Sequence, residues 1–302
     1  MKVIKNVVLF LFLLFVCDRA LGLLLQYFYN RQVGGLESAN TTYVLTKAKD
    51  DIVIFGSSRA THHYIPSILE DSLHKTCYNA GRVGRFILFD DALLAGTVKR
   101  YKPHLVILDI SDNEFDTKMA SQKQKDIVVS SLLPYINNNA IYASVKTLNS
   151  KQIILANIFH SYKYNSEVLS VFKRFLKPVK SVSRGYEPLP GTVLPPDLTR
   201  PIDTESYSED SSLKNAFVDF CKTCEENKIK LLVIVSPSYE KIVNNSKEAI
   251  RNICSNYNST FMDFTDDTEF LKEQLYYDTR HLNSTGAILF SERLASKMKD
   301  IY

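Results

Sequence analysis

The chain has 302 residues, 45% hydrophobic and 23% charged, an ordinary globular composition that excludes a disordered, collagen-like or small disulfide-stapled protein. Thirty-seven Lys and Arg against thirty-three Asp and Glu leave a net charge of +4, far from the concentrated basic surface with which a nucleic-acid binder displaces counterions. The five cysteines are an odd number and Cys17 lies in an apolar run, so no structural disulfide is expected.

That run, Val7 to Cys17, follows Lys2 and Lys5 and continues, after Asp18 and Arg19, into a second apolar stretch from Ala20 to Tyr29. No small-residue cleavage site follows it, so residues 1–30 read as an uncleaved membrane anchor; a cleaved signal peptide is the second reading. Lipid attachment at Cys17 is disfavoured by Val16 before it. Asp18 and Arg19 cost about 2.5 to 3.5 kcal/mol each inside a span, which a dozen Leu, Phe and Val at roughly half a kcal/mol each offset. The two lysines place the N-terminus in the cytoplasm and send the rest of the chain across the membrane, the catalytic domain being periplasmic or extracellular.

From Asp51 onward, short apolar runs at Ile52, Thr76, His104, Lys230 and Thr260 predict strands apolar on both faces, as in a parallel sheet covered on both sides. Between them, 67–74, 86–101, 215–227, 239–256 and 286–299 carry helical spacing. The fold class is α/β, a three-layer α/β/α sandwich on a parallel five-stranded sheet spanning 31–302. Regular alternation breaks over an insertion, 117–213. Its first part reads as helices to about Lys177, and six of the ten prolines fall between Pro178 and Pro201, which predicts an extended arm on the surface.

Reactive groups in open parallel sheets gather where strands end. The first predicted strand runs into Gly56-Ser57-Ser58-Arg59, the second ends at Asn79-Ala80-Gly81, and the third at Ser111-Asp112-Asn113-Glu114. Each is also compatible with a plain turn or helix cap. Near the C-terminus Asp278 stands three residues before His281, a spacing that lets a carboxylate hold one imidazole nitrogen while the other faces a serine.

These four stations, in this order, resemble the SGNH (GDSL-like) hydrolase family. Ser58 in GSSR takes the place of the family serine, with Ser57 where most members have Asp. Gly81 resembles the second station and Asn113 the third, although Ser111 and Glu114 replace the Gly and Asp that flank it. Asp278 and His281 match the final Asp-x-x-His. The GSS form, the anchor and the insertion look most like the envelope branch, the teichoic-acid D-alanyl transfer and alginate O-acetylation proteins. The resemblance implies a flavodoxin-like SGNH fold, Ser58, Asp278 and His281 as catalytic residues, and an oxyanion hole from the Ser58 and Gly81 amides with the Asn113 side chain. It implies no metal and no organic cofactor. The expected function is a membrane-anchored serine esterase or acyltransferase acting on O-acyl groups, such as acetyl, of cell-envelope polysaccharide. The expected partners are an acylated glycan or other ester, the membrane and an integral-membrane acyltransferase, with no nucleic acid. The alternative is a catalytically silent glycan-binding or scaffold protein of an acylation machinery.

Two register questions stay open in the sequence: Ser57 is a rival nucleophile, and Asp112 is a rival to Asn113. His62 and His63 read as surface or helix-capping residues, and Cys221 and Cys224 as buried or idle thiols. Arg59, Arg82 and Arg85 either cluster at the site for an anionic substrate or are solvated charges. The tyrosines stack on sugar rings or serve a core without tryptophan.

Overall fold

The computed structural model describes residues 1–31, 37–166, 168, 183–204 and 206–299. Its strands are β1 (Ile52–Gly56), β2 (Cys77–Asn79), β3 (Leu105–Asp109), β4 (Ile202–Asp203), β5 (Lys230–Val235), β6 (Lys241–Ile242) and β7 (Thr260–Asp263). Its helices are α1 (Lys2–Asn30), α2 (Glu37–Thr46), α3 (Ser58–His63), α4 (Pro66–Leu73), α5 (Ile87–Val98), α6 (Gln122–Leu132), α7 (Asn139–Leu148), α8 (Ser150–Ile158), α9 (Ser211–Glu226), α10 (Ser246–Asn256) and α11 (Ser284–Lys299).

Five strands form one sheet in the order β2-β1-β3-β5-β7, and every neighbouring pair is parallel. All five predicted strands are present, and the fold is the expected three-layer α/β/α sandwich. The strands need no polar face because helices cover both sides. Val53, Phe55, Val106, Leu108, Val233 and Val235 point into a core closed by α2, α5, α9 and α10. Ile52, Ile54, Leu105, Ile107, Leu232 and Ile234 point the other way, against α3, α4 and α11. Each such side chain, fully buried, contributes about 1.5 to 3 kcal/mol. The strand order is that of doubly wound sheets that place their ligand crevice at the carboxyl ends of the first and third strands.

Two expectations for the elements change. The helical spacing from Tyr239 holds only from Ser246, because Lys241–Ile242 pair in parallel with Ile202–Asp203 of the Pro-rich arm. Helix α2 was not legible, since its Ser, Asn and Thr suit turns. Tertiary contacts override that preference: Thr42 Oγ1 donates to Ser38 O at 2.9 Å and lies 2.7 Å from Tyr135 Oη.

The insertion begins with α6, α7 and α8, as expected; the predicted helix beyond Val168 lies outside the described residues. The arm is described again from Ser183. Arg184 pairs with Asp50 and Glu70 beside β2. From there the chain runs over α3, where Glu187 N donates to Thr61 O, and on to the C-terminal loop, where Val193 N donates to Tyr277 O. Helix α1 is long and apolar enough to cross a membrane. Its far end packs on the domain through Gly22, Leu25 and Tyr29.

Between α5 and α9, burial and then the neighbouring Asp219 push the Asp91 carboxyl up to about 7. An acid whose pKa rises on folding keeps its proton in the native state while the unfolded chain has lost it, so stability falls as pH climbs from the ordinary carboxyl range through about 7. Asp91→Asn is therefore expected to raise Tm at pH 8 by about 2 °C per kcal/mol gained, the scale for a chain of this size, and to leave it unchanged near pH 3.5. Thermal melts at the two pH values check this, and an equal gain at both would contradict it.

Candidate active site

The site forms where β1 and β3 end and where the C-terminal loop folds over them. Gly56 closes β1 at φ 136°, and a Cβ there would stand 2.6 Å from Asp109 O, so only glycine permits the turn. Ser58 follows as the first residue of α3. Its Oγ lies 2.7 Å from Nε2 of His281, and Nδ1 of the same ring lies 2.9 and 3.0 Å from the two oxygens of Asp278. Ser58, His281 and Asp278 are thus brought together across more than two hundred residues of sequence. The Asp278 carboxylate fixes the Nδ1–H tautomer, so the bare Nε2 accepts the Ser58 hydroxyl proton. The serine next to His281 Nε2 is Ser58, the second of the pair at this turn.

The loop holding the pair is tightly tied. Tyr277 N donates to His281 O at 2.8 Å and Asn283 N to Leu275 O at 2.9 Å. Asp278 Oδ1 accepts the amides of Arg280 and His281, both at 2.9 Å. Partial burial works to raise the Asp278 pKa, but the His281 ring and these two amides outweigh it and draw it down to about 2. Asp278 therefore stays ionised throughout the range in which a histidine can serve as base.

The expected oxyanion donors divide. The Ser58 amide opens α3, where helix geometry leaves the N–H without an intrahelical partner. Asn113 lines the cleft, and its Oδ1 accepts the Ser111 hydroxyl at 2.6 Å, so the Nδ2 end of the amide is its donor end. Gly81 is held within its own loop. Its N–H donates to Asn79 Oδ1 at 3.0 Å, and it is absent from the cleft lining. A Cβ on it would stand 2.6 Å from Thr61 N, so Gly81 lets the β2 loop lie close against α3. Asp112 also lines the cleft but is buried, with Oδ2 unpartnered. Glu114 accepts the Ile87 and Ser111 amides; it fastens the start of α5 to the loop after β3.

The remaining residues singled out in the sequence are held by hydrogen bonds or buried, and one of them, Arg59, also lines the cleft. His63 is fully buried, not at the surface. Its Nε2 accepts the Leu282 amide at 2.9 Å, and its Nδ1 lies 3.0 Å from Ser236 Oγ. A ring accepting at Nε2 is neutral and carries its proton on Nδ1; burial, which pushes its pKa well below the ordinary histidine range, keeps it so. Ser236 in turn bonds Asp109, which accepts Tyr64 Oη at 2.5 Å and lies 3.3 Å from Arg59 Nε. This buried chain runs from Arg59, next to Ser58, to Leu282, next to His281, and sets their spacing. Sequence held no signal for it beyond the polar residues at strand ends. His62 contacts Glu187 O of the arm at 2.7 Å. Arg82 is buried over the Phe89 ring and donates to Thr41; Arg85 donates to Ser131. None of these arginines is a solvated charge. Cys221 and Cys224 are buried thiols on α9.

His63→Phe is expected to lower kcat about 100-fold with little change in KM, the cost of misplacing a reacting group by an ångström. His63→Gln, which keeps an acceptor and a donor, should restore part of it. Steady-state kinetics check this, and an unchanged kcat in His63→Phe would refute the positioning role.

The cleft over Ser58 encloses about 160 Å³ among Ser57, Phe86, Asn113, Met119, Ser238 and Arg280. Asn113, Met119, Ile242 and Arg280 also border a groove of about 660 Å³ lined by Asp116, Lys118, Asp203, Tyr207 and Glu240. The smaller cleft thus borders the larger polar groove, one wall of which the arm supplies. A separate cleft of about 390 Å³ at the opposite ends of β3 and β5 has no serine or histidine among its described lining residues.

No protein-family model matches the chain, and no curated protein matches it. Among solved structures it is similar to a protein described as lipolytic and of the G-D-S-L family from Desulfitobacterium hafniense DCB-2, at 11% identity and a TM-score of 0.43, over 82% of this chain and 98% of that one. It is also similar to a gut microbial diltiazem-metabolizing enzyme, at 9% identity and a TM-score of 0.35, over 82% of this chain and 47% of that one.

Proposed function

We propose that this chain is a membrane-anchored serine esterase or acyltransferase of the SGNH kind, acting on O-acyl groups of a cell-envelope or extracellular polysaccharide. The observation that carries the reading is the continuous relay from Ser58 Oγ through His281 to Asp278 at the carboxyl end of the sheet. A serine hydroxyl is a poor nucleophile until a base removes its proton. Here Ser58 Oγ attacks the ester carbonyl carbon as its proton passes to His281 Nε2. The oxyanion is held by the Ser58 amide and the Asn113 Nδ2. Collapse of the tetrahedral intermediate expels the sugar oxygen, which takes the proton from His281, and leaves an acyl-serine. Water or a second sugar hydroxyl then repeats the sequence in reverse, giving hydrolysis or transfer.

Size and polarity support the substrate class. A chamber of about 160 Å³ suits a short acyl group such as acetyl, and the adjoining groove offers carboxylates, Lys118, Arg280 and Tyr207, groups that hydrogen-bond hydroxyls and stack on sugar rings. In this reading residues 1–30 anchor the protein, residues 31–302 form the catalytic domain on the side of the membrane opposite Lys2 and Lys5, and the 117–213 insertion shapes the groove. In a transfer reaction, an integral-membrane acyltransferase supplies the acyl group to Ser58.

The purified chain is expected to release acetate from, or move acetyl groups between, O-acetylated polysaccharides, with Ser58→Ala inactive and chelator without effect. Acetate release that persists in Ser58→Ala would overturn the mechanism. Turnover of small esters with none on any acylated glycan would overturn the substrate class. A folded protein inert toward every ester would favour the silent scaffold.

A further inference from the structure

Helix α8 carries apolar residues on both sides, with Lys151 in its first turn and Asn157 also exposed. Ile153 and Ala156 point into the core of the domain. The opposite face carries Ile154, Leu155, Ile158 and Phe159, which are 57, 38, 51 and 48% exposed. Such a face on a soluble protein marks a contact surface, and its position says with what.

The end of α8 is fastened to the middle of α1. Arg19 donates to Ile158 O at 2.6 Å, and the Asp18 carboxylate accepts the His160 and Ser161 amides at 2.7 and 3.1 Å and the Ser161 hydroxyl at 2.6 Å. From Lys5 to Asp18 is 13 helical residues, or about 20 Å at about 1.5 Å each. A hydrocarbon core is about 30 Å thick. With Lys5 at one edge, Asp18 and the attached end of α8 lie about 10 Å inside the other edge. Beyond Asp18 the outward face of α1 stays apolar and uncovered, with Leu21, Leu23, Leu24 and Tyr27 exposed; Tyr27 falls where an interfacial aromatic belongs.

The Asp18–Arg19 pair fits the same placement. The carbonyl at the end of a helix and the amides of the turn after it can be left to water at a protein surface. In lipid every such group must be bonded within the protein. Here the two charges of α1, costly in a span, satisfy these groups of α8 and the turn behind it, and in doing so are themselves partnered.

We propose that α8 is immersed in the membrane leaflet distal to Lys5, beside α1, with Ile154, Leu155, Ile158 and Phe159 against the acyl chains. The anchor is then a helix plus a shallow second element, which fixes the tilt of the catalytic domain relative to the bilayer. This rests on α1 being a membrane span.

The chain contains no tryptophan, so single substitutions report without background. Full-length Phe159→Trp, with Ile154→Trp as a second reporter, would be reconstituted in phosphatidylcholine vesicles. Phe12→Trp on α1 and Ile288→Trp on α11 serve as lipid and water references. The expected result is that bromine-labelled phosphatidylcholine quenches the tryptophans at 12, 154 and 159 while iodide does not, and that the one at 288 behaves oppositely. Quenching at 12 with iodide-accessible reporters at 154 and 159 overturns the placement of α8 and leaves the span intact. Reporters on α8 shielded from both quenchers place them against protein, a partner or a second copy, and equally overturn it. No lipid quenching at 12 removes the span and this inference with it, leaving the esterase reading untouched.

Discussion

Replacing either Ser58 or His281 by Ala should lower turnover by about 10⁴-fold or more, and the double replacement should cost little beyond either single one. The reason is geometric. Ser58 Oγ and His281 Nε2 are 2.7 Å apart and form one device, so removing the base leaves an inert hydroxyl and removing the hydroxyl leaves a base with nothing to activate. Asp278→Ala should hurt less than either, since the ring keeps its nitrogen but loses its tautomer and the anchor provided by a carboxylate held near pKa 2. Ser57→Ala should retain a clear fraction of activity, because His281 bonds its neighbour. Measured kcat/KM for the singles and the double, on one ester, decides this; additive losses, or a dead Ser57→Ala beside an active Ser58→Ala, would contradict it.

The second large effect concerns the oxyanion. The Gly81 amide bonds Asn79, and in the proposed mechanism the Ser58 amide and the Asn113 side chain meet the developing charge. Asn113→Ala should lower kcat by about 10²- to 10³-fold with KM little changed, the cost of removing one preorganised donor. Ser111→Ala should cost less, because the Ser111 hydroxyl only orients the Asn113 amide by bonding its Oδ1. A kcat within twofold of the parent in Asn113→Ala would remove Asn113 from the site.

The core of this fold was legible because parallel strands covered on both faces must be apolar throughout: the runs at Ile52, His104 and Lys230 could be read directly. The Asp278-x-x-His281 spacing was legible because both residues sit on one turn. What escaped depends on partners distant in sequence. Helix α2 is made of turn-forming residues that their burial against Tyr135 converts to helix. Lys241–Ile242 have helical spacing and become a strand because the arm lies beside them. At Gly81 the amide bonds the side chain of Asn79, two residues earlier, a pairing that its place after β2 does not announce. The same holds for His63, whose neighbours Ser236 and Leu282 lie 173 and 219 residues away.

Labelling with a fluorophosphonate, located by peptide mass spectrometry, tests the central claim most directly, because only a serine activated by a general base reacts at an appreciable rate. The account predicts one phosphonylated residue, Ser58, in the intact protein, and none in folded His281→Ala. An unlabelled intact protein, or label on Ser57 or another serine that persists without His281, would contradict it.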